Sequence, residues 1–255
     1  MSEDISNIIQ GCGTTKGCFI APPNCENSPN LVCTSIFTWT AQNDGIQFFI
    51  AGTPTNYAPE ENGVPVSDLY YYVAVAFSLD EFMGADTVIT CITGNDVSPP
   101  TSSSINTNLT KRNQKPGNIL VSWNDAFNNY IIFDASDSII RVGNVGMQNS
   151  RIYCNGFWNF SGRKNIRYPE RTYDLSSPNM KWHILVARGT ANRNTYALNG
   201  HSIVDGESFP WTTRDTINLC TRNGCGENFI PYKYLKSAYQ AYPLGIVTHK
   251  VAVSH

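Results

Sequence analysis

Short apolar runs recur along most of the chain and are separated by polar turn clusters such as Asn43-Asp44-Gly45. Runs of this length and pattern predict β-strands, because successive side chains of a strand point to opposite faces of a sheet. Their close spacing predicts an all-β fold, a single Ig-like β-sandwich of roughly ten strands. The predicted strands span residues 36–40, 47–51, 69–78, 87–92, 118–123, 130–134, 139–145, 151–160, 181–188, 195–198 and 216–219.

One run differs from the others because both of its faces are apolar or aromatic. Alternate positions of the run carry Tyr71, Val73, Val75 and Phe77 on one face and Tyr70, Tyr72, Ala74 and Ala76 on the other. A strand of this kind has to be covered on both sides, which predicts a central place in its sheet.

Composition divides the chain into three parts. Residues 1–34 are rich in Cys, Gly, Pro and Asn and predict a disulfide-stapled lead-in made of loops. Residues 35–220 contain the predicted sandwich, and residues 221–255 form a C-terminal tail with one candidate short helix near 233–242.

Charge and cysteine content restrict the partners and the compartment. The net charge of -2 is too small to attract nucleic acid. An even number of cysteines, without a Cys-x-x-Cys pair, favours disulfides in an oxidising compartment, either extracellular or at the outer face of a membrane. Neither a signal peptide nor a membrane anchor is visible in the sequence. The cysteines are Cys12, Cys18, Cys25, Cys33, Cys91, Cys154, Cys220 and Cys225.

Met83 is followed by Gly84 in an acidic turn between two predicted strands. Methionine in a β protein usually fills a gap in the core, and this reading stays open for Met83. A thioether held at the mouth of a sandwich can also act as a soft axial ligand of haem iron, which requires a partner imidazole. The chain offers four histidines, His183, His201, His249 and His255.

Three segments together resemble the DOMON domain, and most closely that of the ferric-chelate reductase group. They are CGTTKGCF at 12–19, followed by Cys25 and Cys33; YVAVAFSLDEFMGADTVITC at 72–91; and HILVARG at 183–189, followed by His201. The second segment is the most specific, and the resemblance covers roughly residues 11 to 205.

The resemblance implies an extracellular cytochrome-type module that holds haem b without a covalent bond. Met83 and His201 match the axial ligands, and His183 ranks second among the imidazoles. Cys91 and Cys154 match a disulfide pair. The implied role is electron transfer in support of ferric-chelate reduction, with a transmembrane b-type cytochrome, a ferric chelate or a quinol as redox partner.

Other functions remain as alternatives or are excluded. A haem-free DOMON domain would serve ligand binding or assembly, with Trp158, Trp182 and Trp211 as candidates to line a groove. No Gly-x-Ser-x-Gly or His-Glu-x-x-His motif is present, so the chain is not expected to be a hydrolase. The acidic residues Asp80, Glu81 and Asp86 lack the regular spacing of calcium ligands.

Overall fold

The computed structural model describes residues 5–28, 30–55, 69–94, 117–126, 128–177, 179–201, 210–219 and 234–236. Two α-helices, α1 (Ile5–Ile9) and α2 (Phe133–Ile139), accompany three 3-10 turns at Cys25–Asn27, Phe160–Asn165 and Pro169–Arg171. The strands are β1 (Gly17–Ala21), β2 (Ser35–Ala41), β3 (Gly45–Gly52), β4 (Leu69–Ser78), β5 (Asp86–Thr93), β6 (Gly117–Asp125), β7 (Asn128–Ile131), β8 (Ile140–Gln148), β9 (Arg151–Asn159), β10 (His183–Asn192), β11 (Trp211–Thr213) and β12 (Tyr234–Lys236).

These strands form two antiparallel sheets that pack into a sandwich, which confirms the predicted all-β fold. The smaller sheet has the order β1-β2-β3-β9-β8, and the larger has the order β12-β11-β10-β4-β5-β6-β7. Side chains from the facing surfaces of both sheets form one apolar core, and several of its largest members are aromatic. The core thereby excludes water from the space between the sheets.

Strand β4 occupies the predicted central place. It pairs with β10 on one side and with β5 on the other, in continuous antiparallel register. Its inner face joins the main core, and its outer face, with the short side chains Ala74 and Ala76, belongs to a second apolar cluster. The side chains described on both of its faces are therefore buried.

The tryptophans serve mainly as core residues. Trp158 and Trp182 are almost fully buried, and the Trp158 ring lies 6.4 Å from that of Phe77 in an edge-to-face contact. Trp211, on β11, is only partly buried but also packs against the core. These positions remove Trp158 and Trp182 as lining for a surface groove.

The N-terminal lead-in contains more regular structure than its composition predicts. Strand β1 pairs with β2 at the edge of the smaller sheet, and its Phe19 and Ala21 enter the main core. The Cys12–Cys18 disulfide links the segment before β1 to β1 itself, and the Cys25–Cys33 disulfide closes a loop in the segment after β1. The apolar run CFIA between Gly17 and Pro22 has four residues, which is too short a pattern to be distinguished from a loop.

The run 130–134 is not one strand as predicted. Strand β7 ends at Ile131, and α2 begins at Phe133. The Ser136 hydroxyl donates to Ile132 O at 2.9 Å and accepts from Val121 N at 2.8 Å, so a helix side chain replaces strand pairing beside β6. Ala135 and Ile139 enter the core from one face of this helix.

Three further predictions about secondary structure were wrong. The runs 195–198 and 216–219 form single bridges, Ala191 with Leu198 and Trp182 with Ile217, rather than strands. Within the candidate helix at 233–242, the described residues Tyr234–Lys236 form strand β12. Backbone pairing with β10 and β11 decides the conformation of these short segments more than local propensity does.

A disulfide between Cys91 on β5 and Cys154 on β9 joins the two sheets, as the resemblance implied. Both residues are fully buried in the main core. Cys220 and Cys225 lie outside the described residues. Three disulfides indicate that the protein folds in an oxidising environment.

We expect loss of the inter-sheet disulfide to destabilise the fold more than loss of a local one. The Cys91–Cys154 bridge closes 63 residues and the Cys25–Cys33 bridge closes 8. The double variant Cys91→Ala/Cys154→Ala should lower the free energy of unfolding by about 2–5 kcal/mol. The loss in Cys25→Ala/Cys33→Ala should be smaller by about 2 kcal/mol, because a disulfide that closes a shorter loop restricts the unfolded chain less. Urea denaturation measures both, and equal losses would contradict the prediction.

Candidate functional site

The methionine turn, residues 79–85, connects β4 to β5. Local hydrogen bonds shape its first half: the Asp80 carboxylate accepts from Phe82 N at 2.8 Å, and the Ser78 hydroxyl accepts from Asp80 N at 3.2 Å. Met83 is half-buried, and a Cβ added at Gly84 would meet no atom of the described residues within 4 Å. The second half of the turn therefore borders open space.

A row of polar side chains on β5, β6 and β7 supports the turn. The Oδ2 atom of Asp86 accepts from Gly84 N at 2.9 Å and from the Asn124 amide at 3.0 Å. The Asn129 amide donates to Asn124 Oδ1 and to the Ser122 hydroxyl, each at 2.9 Å. The row thus fixes the backbone next to Met83 from the interior of the larger sheet.

Asp86 is fully buried, and its Oδ1 atom has no hydrogen-bond partner within the part of the chain that the structure describes. Burial raises the pKa of Asp86 above its usual value, although the hydrogen bonds from Asn124 and Gly84 favour the charged form. The carboxyl group is therefore easier to protonate in the folded protein than in the unfolded chain.

Tyr173 holds the turn from the other side. Its hydroxyl donates to Ala85 O, and its backbone N–H donates to the Thr87 hydroxyl at 2.6 Å. Its ring lies 4.9 Å from that of Trp182, the residue before His183. Burial raises the pKa of the Tyr173 hydroxyl, and the nearby carboxylates of Asp86 and Asp80 raise it further, so the group remains a hydrogen-bond donor.

His183 lies at the same end of the larger sheet as the methionine turn. It pairs with Ser78, the last residue of β4, and it is buried. Its Nδ1 atom lies 3.0 Å from Thr213 O. Because a carbonyl oxygen can only accept, Nδ1 carries a proton in this contact, and Nε2 is the ring nitrogen that a metal could use. Among the described residues, Nε2 has no hydrogen-bond partner.

His201 is half-buried and follows a segment that runs back along β10. Asn199 N donates to Thr190 O at 2.9 Å, and Leu198 bridges Ala191. Extending this register over Gly200 and His201, for which no strand pairing is described, would bring His201 level with Arg188. That position is five residues, or about 17 Å, along β10 from His183. Of the two histidines, His183 thus lies nearer the methionine turn along the sheet, while His249 and His255 lie outside the described residues.

The acidic residues of the methionine turn are not grouped with other ligand-type side chains in the described part of the chain. Within the described ranges, the ligand-type groups that lie within 4.8 Å of one another are those of Cys25, Glu26 and Cys33. The two sulfur atoms of that group are bonded to each other, which removes them as thiolate ligands. Asp80 and Asp86 instead accept hydrogen bonds from the turn backbone.

Sequence reasoning named Met83, His201 and His183 as candidate ligands but missed the groups that contact the methionine turn and His183. Thr213 is 30 residues from His183, and Asn124 is 38 residues from Asp86. Asparagines near Asp125 look like ordinary turn residues in the sequence. Only the strand pairing reveals that Asn124 and Asn129 stand in line with Asp86.

Comparison with known proteins gives one informative relative. The chain is 30% identical over 187 residues to a Drosophila melanogaster protein whose name describes it as a homolog of ferric-chelate reductase 1. The match covers 72% of this chain and 23% of the relative. It supports a relationship to a ferric-reductase-related family.

The other comparisons add no further relationship. No protein-family model matches the chain. No solved structure matches it significantly. Of the helices in the described ranges, none has both the length and the apolar character needed to cross a membrane.

The raised pKa of Asp86 predicts a pH dependence of stability. The folded state keeps the Asp86 proton at pH values where the unfolded chain has released it. The bound proton therefore contributes fully to stability at pH values below the pKa that Asp86 has in the unfolded chain. This contribution is lost as the pH rises through the higher pKa that Asp86 has in the folded protein. Compared with the native protein, Asp86→Asn should lose less stability between about pH 4 and pH 7.

Urea unfolding of both proteins at several pH values measures this difference. Asp125→Asn removes an exposed carboxylate at the end of β6 and is the matched control, expected to follow the native pH profile. Parallel pH profiles of stability for Asp86→Asn and the native protein would contradict the conclusion that the raised pKa of Asp86 causes this pH dependence.

Proposed function

We propose that this chain is an extracellular DOMON domain that binds haem b and transfers electrons in a ferric-reductase-type system. One observation carries the proposal: a half-buried thioether and an imidazole with an available Nε2 lie at the same end of one sheet. The relationship to a ferric-chelate reductase homolog supports the same class of function.

The donor chemistry of the site fits a haem. Thioether sulfur and neutral imidazole nitrogen are ligands that haem iron takes in electron-transfer proteins. Imidazoles that bind metals commonly donate their other ring N–H to a carbonyl, as His183 does to Thr213 O. A Cβ added at Gly84 would contact no described residue within 4 Å, so the backbone next to Met83 is not packed against other side chains.

A bound haem would supply reversible one-electron chemistry, and the chain would set its surroundings. Met83 would provide the sulfur ligand. Asp86 would hold the backbone of the methionine turn through Gly84 N, and Thr213 would fix the tautomer and the plane of the His183 ring. These contacts favour a fixed ligand geometry, which suits electron transfer because little rearrangement accompanies the change of charge.

Two histidines compete for the second ligand position. The DOMON resemblance names His201, whereas the register of β10 and the hydrogen bond to Thr213 O favour His183. Both proposed ligand pairs include Met83, and they differ only in which histidine provides the second ligand. A ferric chelate or a quinol is the proposed exchange partner, and a transmembrane b-type cytochrome is the proposed electron donor.

Reconstitution with haemin tests the proposal. We expect a Soret band and a six-coordinate low-spin spectrum, with the near-infrared band of a thioether bound to ferric iron. Met83→Leu should abolish that band, lower the reduction potential and weaken haem binding by about tenfold or more. Met147→Leu, which alters a partly buried methionine of β8 that packs on the core, is the matched control.

The same spectra distinguish the two histidines. His183→Gln and His201→Gln serve as controls for each other, and the variant that loses the low-spin spectrum identifies the ligand. A native protein that gains no Soret band would refute the haem proposal and would leave the haem-free DOMON alternative. Low-spin spectra in both histidine variants would exclude both residues.

A further inference from the structure

A second site stands out in the loop between β9 and β10. Tyr168 is exposed, at 40% of its surface, and two guanidinium groups lie against its ring. The Arg167 and Arg171 guanidinium carbons are 5.2 Å and 5.1 Å from the ring centroid. We call these three residues the arginine platform.

The platform rests on a braced backbone. The Arg163 guanidinium donates to Thr172 O at 2.8 Å and to Pro169 O at 2.6 Å, which ties the two ends of the 3-10 turn Pro169–Arg171 together. Arg167 N donates to the Asp134 carboxylate on α2 at 2.7 Å. The loop therefore presents its side chains from a fixed base, which lowers the entropic cost of binding.

The charges of the platform are not neutralised within the protein. Neither Arg167 nor Arg171 forms an ion pair with any residue in the described ranges. Because both groups lie about 5 Å from one ring centroid, they are at most about 10 Å apart, close to the screening length at physiological ionic strength. Contact with the Tyr168 ring offsets only part of their repulsion.

We propose that the arginine platform binds a small polycarboxylate anion. Guanidinium groups match carboxylates in a two-pronged geometry, and two separated guanidinium groups call for two carboxylates on one molecule. Glu170 lies between the arginines in sequence and Asp134 lies beside Arg167 N, so these carboxylates oppose part of the attraction for any anion, a polycarboxylate included.

The site is joined to the methionine turn. Tyr173, two residues after Arg171, donates its hydroxyl hydrogen to Ala85 O. A polycarboxylate on the platform would therefore lie on the loop that braces Met83. Binding itself requires no haem, so the inference stands or falls independently of the proposed function.

Calorimetric titration of the full chain with citrate, without haem or iron and at constant ionic strength, tests the proposal. We expect a dissociation constant of about 1 mM or lower, and a loss of about tenfold or more in Arg167→Gln/Arg171→Gln. Arg141→Gln is the matched control, since Arg141 also lies over an aromatic ring, 5.4 Å from the Phe157 centroid. It should bind citrate as the native protein does.

Two further comparisons sharpen the result. Tyr168→Phe should keep the affinity and Tyr168→Ala should lower it, because the ring holds both guanidinium groups. Acetate and phosphate should bind more weakly than citrate. Absence of citrate binding to the native protein, equal loss in Arg141→Gln, or acetate and phosphate binding as tightly as citrate would overturn the proposal. The exposed single variants Arg167→Gln and Arg171→Gln decide the outcome if the double variant fails to fold.

Discussion

The burial of both faces of β4 is the constraint on which the rest of the structure depends. A slip of one residue in its pairing would exchange the inner face, with Val73 and Phe77, for the outer face, with Ala74 and Ala76. The two faces carry side chains of different size at corresponding levels of the strand, so each face fits the neighbours that it meets in this register. That register places His183 opposite Ser78 and fixes where the methionine turn leaves the sheet. The arrangement of the candidate site is thus a consequence of core packing.

The buried carboxyl group of Asp86 needs an explanation of another kind. Burying a carboxylate is costly, and here Oδ1 gains no hydrogen bond within the described residues to offset the cost. Oδ2, however, holds Gly84 N, and Asn124 supports it from the next strand. Packing alone would favour an apolar side chain at this position. The clearest geometric effect of Asp86 is on the backbone beside Met83, so we interpret the polar row as a device that orders the turn.

The predictable features are those that short stretches of sequence encode. Two-sided apolarity identified β4, and the Met83-Gly84 sequence identified the turn. The partners that complete the site come from distant parts of the chain: Thr213 is 30 residues from His183, and Tyr173 is 86 residues from Thr87. No local pattern encodes such distances. The relative positions of His183 and His201 follow from strand register in the same way, and spacing in the sequence gave no reason to prefer His183 over His201. The stacked arginines likewise depend on a braced loop conformation.

Tyr173 connects these separate features. Its hydroxyl reaches Ala85 O in the methionine turn, while its ring packs at 4.9 Å on Trp182 and at 5.4 Å on Trp123. Trp182 is fully buried and directly precedes His183, so one side chain contacts the neighbours of both proposed ligands. The same residue lies in the loop between β9 and β10 that carries the arginine platform, two residues after Arg171. Since aromatic packing in the core holds Tyr173, the spacing between the platform, the methionine turn and the start of β10 is set by the sandwich itself. A ligand on the platform would therefore be connected to the methionine turn through Tyr173, whose hydroxyl donates to Ala85 O.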